Sequence, residues 1–381
     1  CPHAFYKKLR DEAPVYQDPN TGIFQVSKHE LICEAARNAK VFSNEFGLLQ
    51  KDGGSDTYPK EAAEIMEKDG YPAVNTMLTA DPPRHTKYRR LVDKAFTPKR
   101  VSDMGPEIEK KTNFIIDQFF DDGKCEVASQ LAQPLPIRVI AEALGASTDD
   151  YEFFRISSEA FTDQLSGTST PEEHIEIAKK LVKFQQYFAE RLNEKEKNPT
   201  DDILSDLATL EFEDEDGVLR KMETPEQLSI IQQLLVAGNA TTAHSITEAI
   251  KLLIENPDQM KLVVNDHSLI PNMIEESLRL LTPTNNMWRI ATEDTELGGV
   301  AIPAGSALLL RYGSGNRDED LFENPDKFDV TRKNARRHVA FGQGIHVCLG
   351  MNLSRKEMYT AFPIILDRLK NMRFSENNDF N

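Results

Sequence analysis

Apolar residues recur every three to four positions through 105–120, 136–145, 172–196, 225–255, 268–281 and 352–370. That is the period of a helix with one face buried. Strand-like runs are fewer. Gly22-Ile23-Phe24-Gln25-Val26 is one, and the turn-rich stretch from Glu296 to Gly305, followed by Ser306 to Tyr312, predicts a small hairpin. The expected class is therefore mainly α with small β-sheets, without the strand–helix alternation of a parallel sheet. No repeat, low-complexity tract or Gly/Ser linker divides the chain, so residues 1–381 are expected to form a single domain. Segments 50–60 and 197–222 are polar and acidic and read as exposed loops. Met372-Arg373-Phe374 reads as the start of a strand that stops in polar residues, as if the C-terminal tail were truncated.

The longest helical pattern opens at Thr224-Pro225-Glu226-Gln227. Thr224 suits the cap, Pro225 the first turn and Gln227 the return arm of a capping box. The pattern runs to Asn256, where Pro257 stops it. Some 30 residues at 1.5 Å each span roughly 45 Å, enough to cross a domain. Its middle, Ala237-Gly238-Asn239-Ala240-Thr241-Thr242, is poor helix sequence. Glycine, asparagine and paired threonines all cost helix propensity, and the hydroxyls compete for backbone carbonyls. Such a break marks either a packing notch or a functional site.

Charge and cysteine usage narrow the function. Lys plus Arg number 45 against 62 Asp plus Glu, a net charge of −17. That balance argues against a nucleic-acid partner, which needs a basic surface. No apolar run is long enough to span a membrane, and Cys1-Pro2-His3-Ala4-Phe5 does not read as a secretion signal. Four scattered cysteines (Cys1, Cys33, Cys125 and Cys348) do not make a disulfide scaffold, so a reducing cytoplasmic setting is expected. One of them is placed differently from the rest. Between Phe341 and Gly350, three glycines (Gly342, Gly344 and Gly350) surround His346 and Cys348, and a helix pattern follows. Glycines permit close backbone approach, and a cysteine before a helix N-terminus is stabilised as thiolate. Zinc would need further Cys or His ligands that no nearby pair supplies. A cysteine nucleophile would want a histidine, and His346 lies two residues away. Haem needs only one thiolate from the protein.

Phe341, Gly344, His346, Cys348 and Gly350 match F-x-x-G-x-H-x-C-x-G. The loop is similar to the haem-binding signature of the cytochrome P450 superfamily, of the soluble bacterial type. The resemblance implies haem b (iron protoporphyrin IX), with Cys348 as axial ligand of the iron. Further matches cover most of the chain. Glu276-Ser277-Leu278-Arg279 resembles the family's E-x-x-R, whose structural role is shared with a meander arginine that Arg332 matches. Leu78 to Arg90 resembles the family's C-helix region, and there His85 and Arg89 are implied to bind haem propionates, with Arg289 and His346 as further contacts. Asn316-Arg317-Asp318 and the Gly298-Gly299 turn extend the match. His338 either reaches the haem edge or packs.

By the same resemblance, residues 224–256 form the long helix over the distal haem face. The usual [AG]-G-x-[DE]-T-[TS] reads Ala237-Gly238-Asn239-Ala240-Thr241-Thr242 here. Thr241 is implied to hold dioxygen and its water chain by hydrogen bonds, while Ala240 stands where the family's proton-relaying acid stands. His244 and Glu248 are alternative proton sources on the face of Ala240, or ordinary pairing groups. Met77, Leu78, Gln233, Ala237 and Asn285 are implied to line the substrate pocket. Gln233 and Asn285 suggest a substrate with an oxygen or nitrogen function, unless their amides serve backbone groups. The implied activity is monooxygenation of a small, mostly apolar organic molecule, by a monomer. No dinucleotide or flavin motif is present, so electrons are expected from NAD(P)H through a ferredoxin and its reductase. Arg332, Lys333, Arg336, Arg337, Arg355 and Lys356 are candidates for the ferredoxin docking patch. Nitric-oxide reduction, which the run Ala237–Thr241 resembles in fungal members, peroxide-driven chemistry and a non-catalytic haem sensor are the alternatives.

Overall fold

The computed structural model describes residues 2–45, 59–147, 150–166, 169–214, 217–376 and 378. Its strands are β1 (Val15–Gln17), β2 (Phe24–Val26), β3 (Phe42–Ser43), β4 (Glu211–Glu213), β5 (Leu219–Lys221), β6 (Met287–Ala291), β7 (Thr295–Leu297), β8 (Val300–Ile302) and β9 (Ala307–Leu310). Four of its helices bear on function: α1 (Arg84–Asp93), α2 (Thr224–Glu255), α3 (Ile270–Leu281) and α4 (Met351–Arg368). The architecture is mainly helical with small sheets, as the periodicity predicts. Contacts divide the chain into two compact units. One comprises Cys1–Phe42, Val101–Leu135 and Thr241–Asn381, the other Ser43–Arg100 and Pro136–Ala240.

The first unit carries the main sheet, in the order β1-β2-β9-β6-β3. β2 runs parallel to β9, and β6 antiparallel to it with Arg289 opposite Leu308. Both neighbours cover β9, so Leu308, Leu309 and Leu310 are buried in succession, as a strand enclosed on both faces requires. This corrects one expectation. The hairpin is β7–β8 alone, closed at Gly298 and Gly299 with φ of 57° and 80°, and the run after Ser306 leaves it for the sheet centre. Positive φ at both turn residues suits glycine and matches the strand twist. Residues 372–375 form no strand.

In the second unit, Pro171–Lys197 is a helix started by a capping box between Thr170 and Glu173. Phe184 and Phe188 on it pack with Phe154 and Phe161 at centroid distances of 4.8–5.9 Å. The acidic stretch 197–222 is not one loop. Ile203–Thr209 is a helix capped by Asp202, and β4 pairs with β5. Its apolar residues are too few to show a period, which is why composition misreads it. Of segment 50–60, residues 50–58 lie outside the described residues, and Lys60 begins a helix.

α2 extends through Ala240 in the second unit and from Thr241 in the first. It starts one residue earlier than a Thr224 cap allows. Glu226 Oε2, not Gln227, accepts the Glu223 N–H at 2.7 Å, and Gln227 donates to the Leu207 carbonyl at 3.0 Å. Among the described residues no helix is long and apolar enough to cross a membrane.

Candidate functional site

Cys348 is exposed in the first unit, just before α4, whose N-cap is Gly350. The loop that presents it is tightly bonded. The Cys348 N–H donates to the Phe341 carbonyl at 2.8 Å, and the Val347 N–H to that of Gly344 at 3.2 Å. Gly342 and Gly344 have φ of 71° and 76°. At Gly344 a Cβ would lie 2.3 Å from the Ala36 carbonyl oxygen, so only glycine lets the loop rest on the helix His29–Arg37. His346 ends a short 3₁₀ turn in the same loop.

Glu276, Arg279 and Arg332 come together in the same unit. Arg279 grips Glu276 with two bonds, of 2.7 and 2.8 Å, and Arg332 Nε donates to Glu276 Oε1 at 2.9 Å. Remaining guanidinium protons bond to the carbonyls of Asn316, Pro325, Lys327, Glu323 and Asn324. The pair is fully buried, and removing one partner from such an arrangement costs about 3–5 kcal/mol. The neighbouring Glu275, to which sequence reasoning assigns nothing, is also fully buried and faces His338, Arg355 and Tyr359. That resolves the choice for His338, which packs. Arg355, offered as a docking residue, is held by Glu275, and Arg332 by Glu276. Lys333, Arg336 and Arg337 stay exposed.

Arg289 is buried on β6. It donates to the Trp288 carbonyl at 2.6 Å and to the buried Tyr312 phenol, another residue sequence reasoning misses. In the second unit, His85 and Arg89 share one face of α1. His85 is buried, and burial, followed by the Arg89 charge, pushes its pKa below the usual value. Arg89 Nε pairs with Asp93 at 2.8 Å.

Along α2, Gln233, Ala237 and Thr241 recur at four-residue spacing and share a face. Gln233 Oε1 accepts the Leu78 N–H at 3.3 Å, so this amide does serve a backbone group. Met77 is buried and Leu78 exposed. Ala237 and Ala240 are exposed. A Cβ on Gly238 would meet Ile140 at 3.7 Å, ordinary contact, so a close helix crossing does not explain that glycine. Asn239 bonds Ser158 at 2.8 Å. Thr242 Oγ1 donates to Ser354 Oγ of α4 at 3.1 Å, and the Thr241 carbonyl accepts the Ser245 hydroxyl at 2.7 Å. His244 and Glu248 lie 4.0 Å apart as a surface pair, and His244 is largely exposed. Asn285 is exposed, and its side-chain oxygen lies where a Cβ on Gly313 would be.

One turn beyond Ser354, Glu357 is buried, and its Oε2 has no hydrogen-bond partner among the described residues. Burial without a counter-charge pushes its pKa well above the usual carboxyl range, so the group is held neutral. The native chain thus keeps a proton that the unfolded chain releases near pH 4.3, and stability falls as pH rises above that value. Glu357→Gln keeps the shape without the charge. Urea unfolding at pH 5 and pH 8 is expected to show a smaller stability gap in the variant than in the parent. Equal gaps would mean that Glu357 ionises without cost.

The residues fit haem. Among the described residues no three His, Cys, Asp or Glu side chains cluster to hold a metal ion. An exposed thiol on a glycine loop suits a metal that arrives with its own planar ligands. The buried guanidinium of Arg289 in the same unit suits a carboxylate of such a group.

Comparison with known proteins agrees. The family pattern described as Cytochrome P450 matches residues 149–377. The steroid C26-monooxygenase of Rhodococcus jostii (strain RHA1) is 33% identical over 97% of this chain and 76% of its own length. The 6-deoxyerythronolide B hydroxylase of Saccharopolyspora erythraea is 35% identical over 95% of this chain and 87% of its own. Among solved structures, cytochrome P450 CREJ in complex with (4-ethylphenyl) dihydrogen phosphate has a TM-score of 0.84 at 30% identity, covering 96% of this chain and 89% of that one. CYP109E1 from Bacillus megaterium in complex with testosterone has a TM-score of 0.84 at 28% identity, covering 100% and 94%. With the cysteine loop and the buried Glu276–Arg279–Arg332 cluster, these similarities establish that the chain belongs to the cytochrome P450 family and is a haem-dependent monooxygenase.

Proposed function

We propose that the enzyme oxygenates a mostly apolar organic molecule carrying one oxygen or nitrogen function. It draws electrons from NAD(P)H through a ferredoxin and its reductase, and works as a monomer in the cytoplasm. The observation that carries the reading is the exposed Cys348 at the end of a bonded glycine loop, in a chain that keeps Thr241. When bound, haem supplies the activation of dioxygen. Cys348 would supply its thiolate ligand, and His85, Arg89, Arg289 and His346 would hold its propionates through charge-assisted bonds. A positioned Thr241 hydroxyl hands on protons, with Ala240 offering none. Asn285, exposed, meets the polar function of the substrate, and Met77, Leu78, Ala237 and the stem of Gln233 supply apolar wall. A relative named for steroid oxidation and a neighbour holding testosterone support a substrate of this kind.

Binding difference spectra with steroids, terpenoids, fatty acids and aromatics are the test, followed by product analysis with a reconstituted redox chain. Oxygenated ligands are expected to bind more tightly than their parent hydrocarbons, and Asn285→Ala to erase the difference. Equal binding of both by the parent enzyme would sink the polar assignment. Consumption of nitric oxide with NADH and no ferredoxin would replace the electron route. A protein that binds ligands but turns over none would be a sensor.

A further inference from the structure

Glu275 is a fully buried carboxylate that neither the family signature nor the Glu276 cluster accounts for. Its two oxygens are fully used. Oε1 accepts from Arg355 Nε at 2.7 Å and from the Tyr359 hydroxyl at 2.6 Å. Oε2 accepts from Arg355 Nη2 at 2.7 Å and from His338 Nε2 at 3.2 Å. The histidine tautomer follows from its other nitrogen. His338 Nδ1 accepts the Ala340 N–H at 3.1 Å, so it is Nε2 that donates to Glu275. Arg355 is then the carboxylate's close counter-charge. Arg336, largely exposed, approaches only to 4.0 Å.

Two of the three side chains that Glu275 holds press on a single ring. The Arg355 guanidinium lies over the Phe341 ring at 4.7 Å, and the His338 ring packs against it at 5.7 Å. Phe341 is the residue whose carbonyl takes the Cys348 N–H. A buried carboxylate on α3 is thereby linked through two side chains and one aromatic ring to the backbone of the thiol. A bidentate guanidinium–carboxylate pair is geometrically strict, so it fixes where the Arg355 plane lies over the ring.

We infer that Glu275 is a positioning residue for the axial thiolate, acting through Arg355 and His338 on Phe341 to hold the Cys348 amide in place. The inference rests on the reading of Cys348 as haem ligand. Its second consequence is electrostatic. Without Glu275 the guanidinium over Phe341 is uncompensated beside a centre that becomes more negative on reduction, which favours the reduced state.

The test compares parent, Glu275→Gln, Arg355→Lys and Arg336→Ala in the haem-loaded protein and in the apoprotein. In Glu275→Gln the reduced carbon-monoxide complex is expected to shift part of its absorption from the thiolate to the neutral-thiol band, and the reduction potential to rise. In the apoprotein, hydrogen exchange at the Cys348 amide is expected to accelerate. Arg355→Lys keeps the charge and breaks the fork, so it is expected to reproduce the band shift and the faster exchange with little change in potential. It also stands in if Glu275→Gln yields no folded protein. Arg336→Ala, which removes an exposed guanidinium bonded to the Tyr359 hydroxyl but not stacked on Phe341, is expected to leave band, potential and amide exchange as in the parent. If Glu275→Gln and Arg355→Lys only lower the melting temperature, with band, potential and amide exchange as in the parent, Glu275 is a structural residue and the inference is wrong. A parent lacking the thiolate band would instead refute the ligand assignment of Cys348.

Discussion

Cys348→Ser is expected to abolish the thiolate-type carbon-monoxide spectrum and all NAD(P)H-supported oxygenation, while leaving a folded protein. The thiolate is the metal ligand, and a serine hydroxyl does not ionise near neutral pH. Because Cys348 is exposed and the swap is nearly isosteric, the fold loses little, of the order of 0.5 kcal/mol for a surface change. The Cys348 N–H bond to Phe341 uses the backbone and survives the substitution. The other described cysteines offer no substitute. Cys33 is buried on the helix His29–Arg37, and Cys125 is half-buried, with burial pushing both thiols up and away from the thiolate form. Carbon-monoxide difference spectra beside far-ultraviolet circular dichroism decide the matter. A retained thiolate band in the folded variant would place the ligand elsewhere.

What could be read from the amino-acid order alone divides along physical lines. Helices with a clear apolar stripe announce themselves by period, and α2, α3 and α4 fall within a few residues of their expected spans, whereas the 16-residue helix Tyr151–Ser166 lies outside every expected span. The cysteine loop was legible because Phe341, Gly344, His346, Cys348 and Gly350 match a spaced signature within ten residues, although the contact that demands glycine at 344, with the Ala36 carbonyl, is a distant one. Misreadings fall where partners are distant in sequence. The segment Ala307–Leu310 read as a hairpin arm because nothing local says that β2, some 280 residues earlier, lies beside it. Residues 197–222 hide a helix and a hairpin whose few apolar positions show no period. Glu275 and Glu357 show the same limit at the side-chain level. Each looks like a solvated helix acid, and only tertiary contacts make one a four-fold acceptor and leave the other neutral. His338 was ambiguous for the same reason, since its partner is 63 residues away.

The substitution with the most to say about the chemistry is at Ala240. Where the resembled motif has an acid before the threonine, this chain has the methyl group of Ala240, and its side chain moves no proton. His244, the nearest alternative on that face, is largely exposed and sits 4.0 Å from Glu248, as a surface pair does. Positioned acid–base groups contribute roughly 10²–10⁴-fold to proton-transfer steps. The parent enzyme is therefore expected to couple poorly, forming less product than the NAD(P)H it consumes, unless the substrate's own polar group takes the acid's place. Ala240→Asp is expected to raise product per NAD(P)H. Ala240 is exposed in the structure, so the longer side chain has space. Thr241→Ala acts in the opposite sense. It removes the hydroxyl proposed to hand on protons, and electrons are expected to leave as hydrogen peroxide with little loss in NAD(P)H consumption. Parallel measurement of NAD(P)H, product and peroxide for the three proteins separates these outcomes. A parent that is already tightly coupled, together with an Ala240→Asp variant that couples worse, would show that the proton arrives by a route that does not pass residue 240.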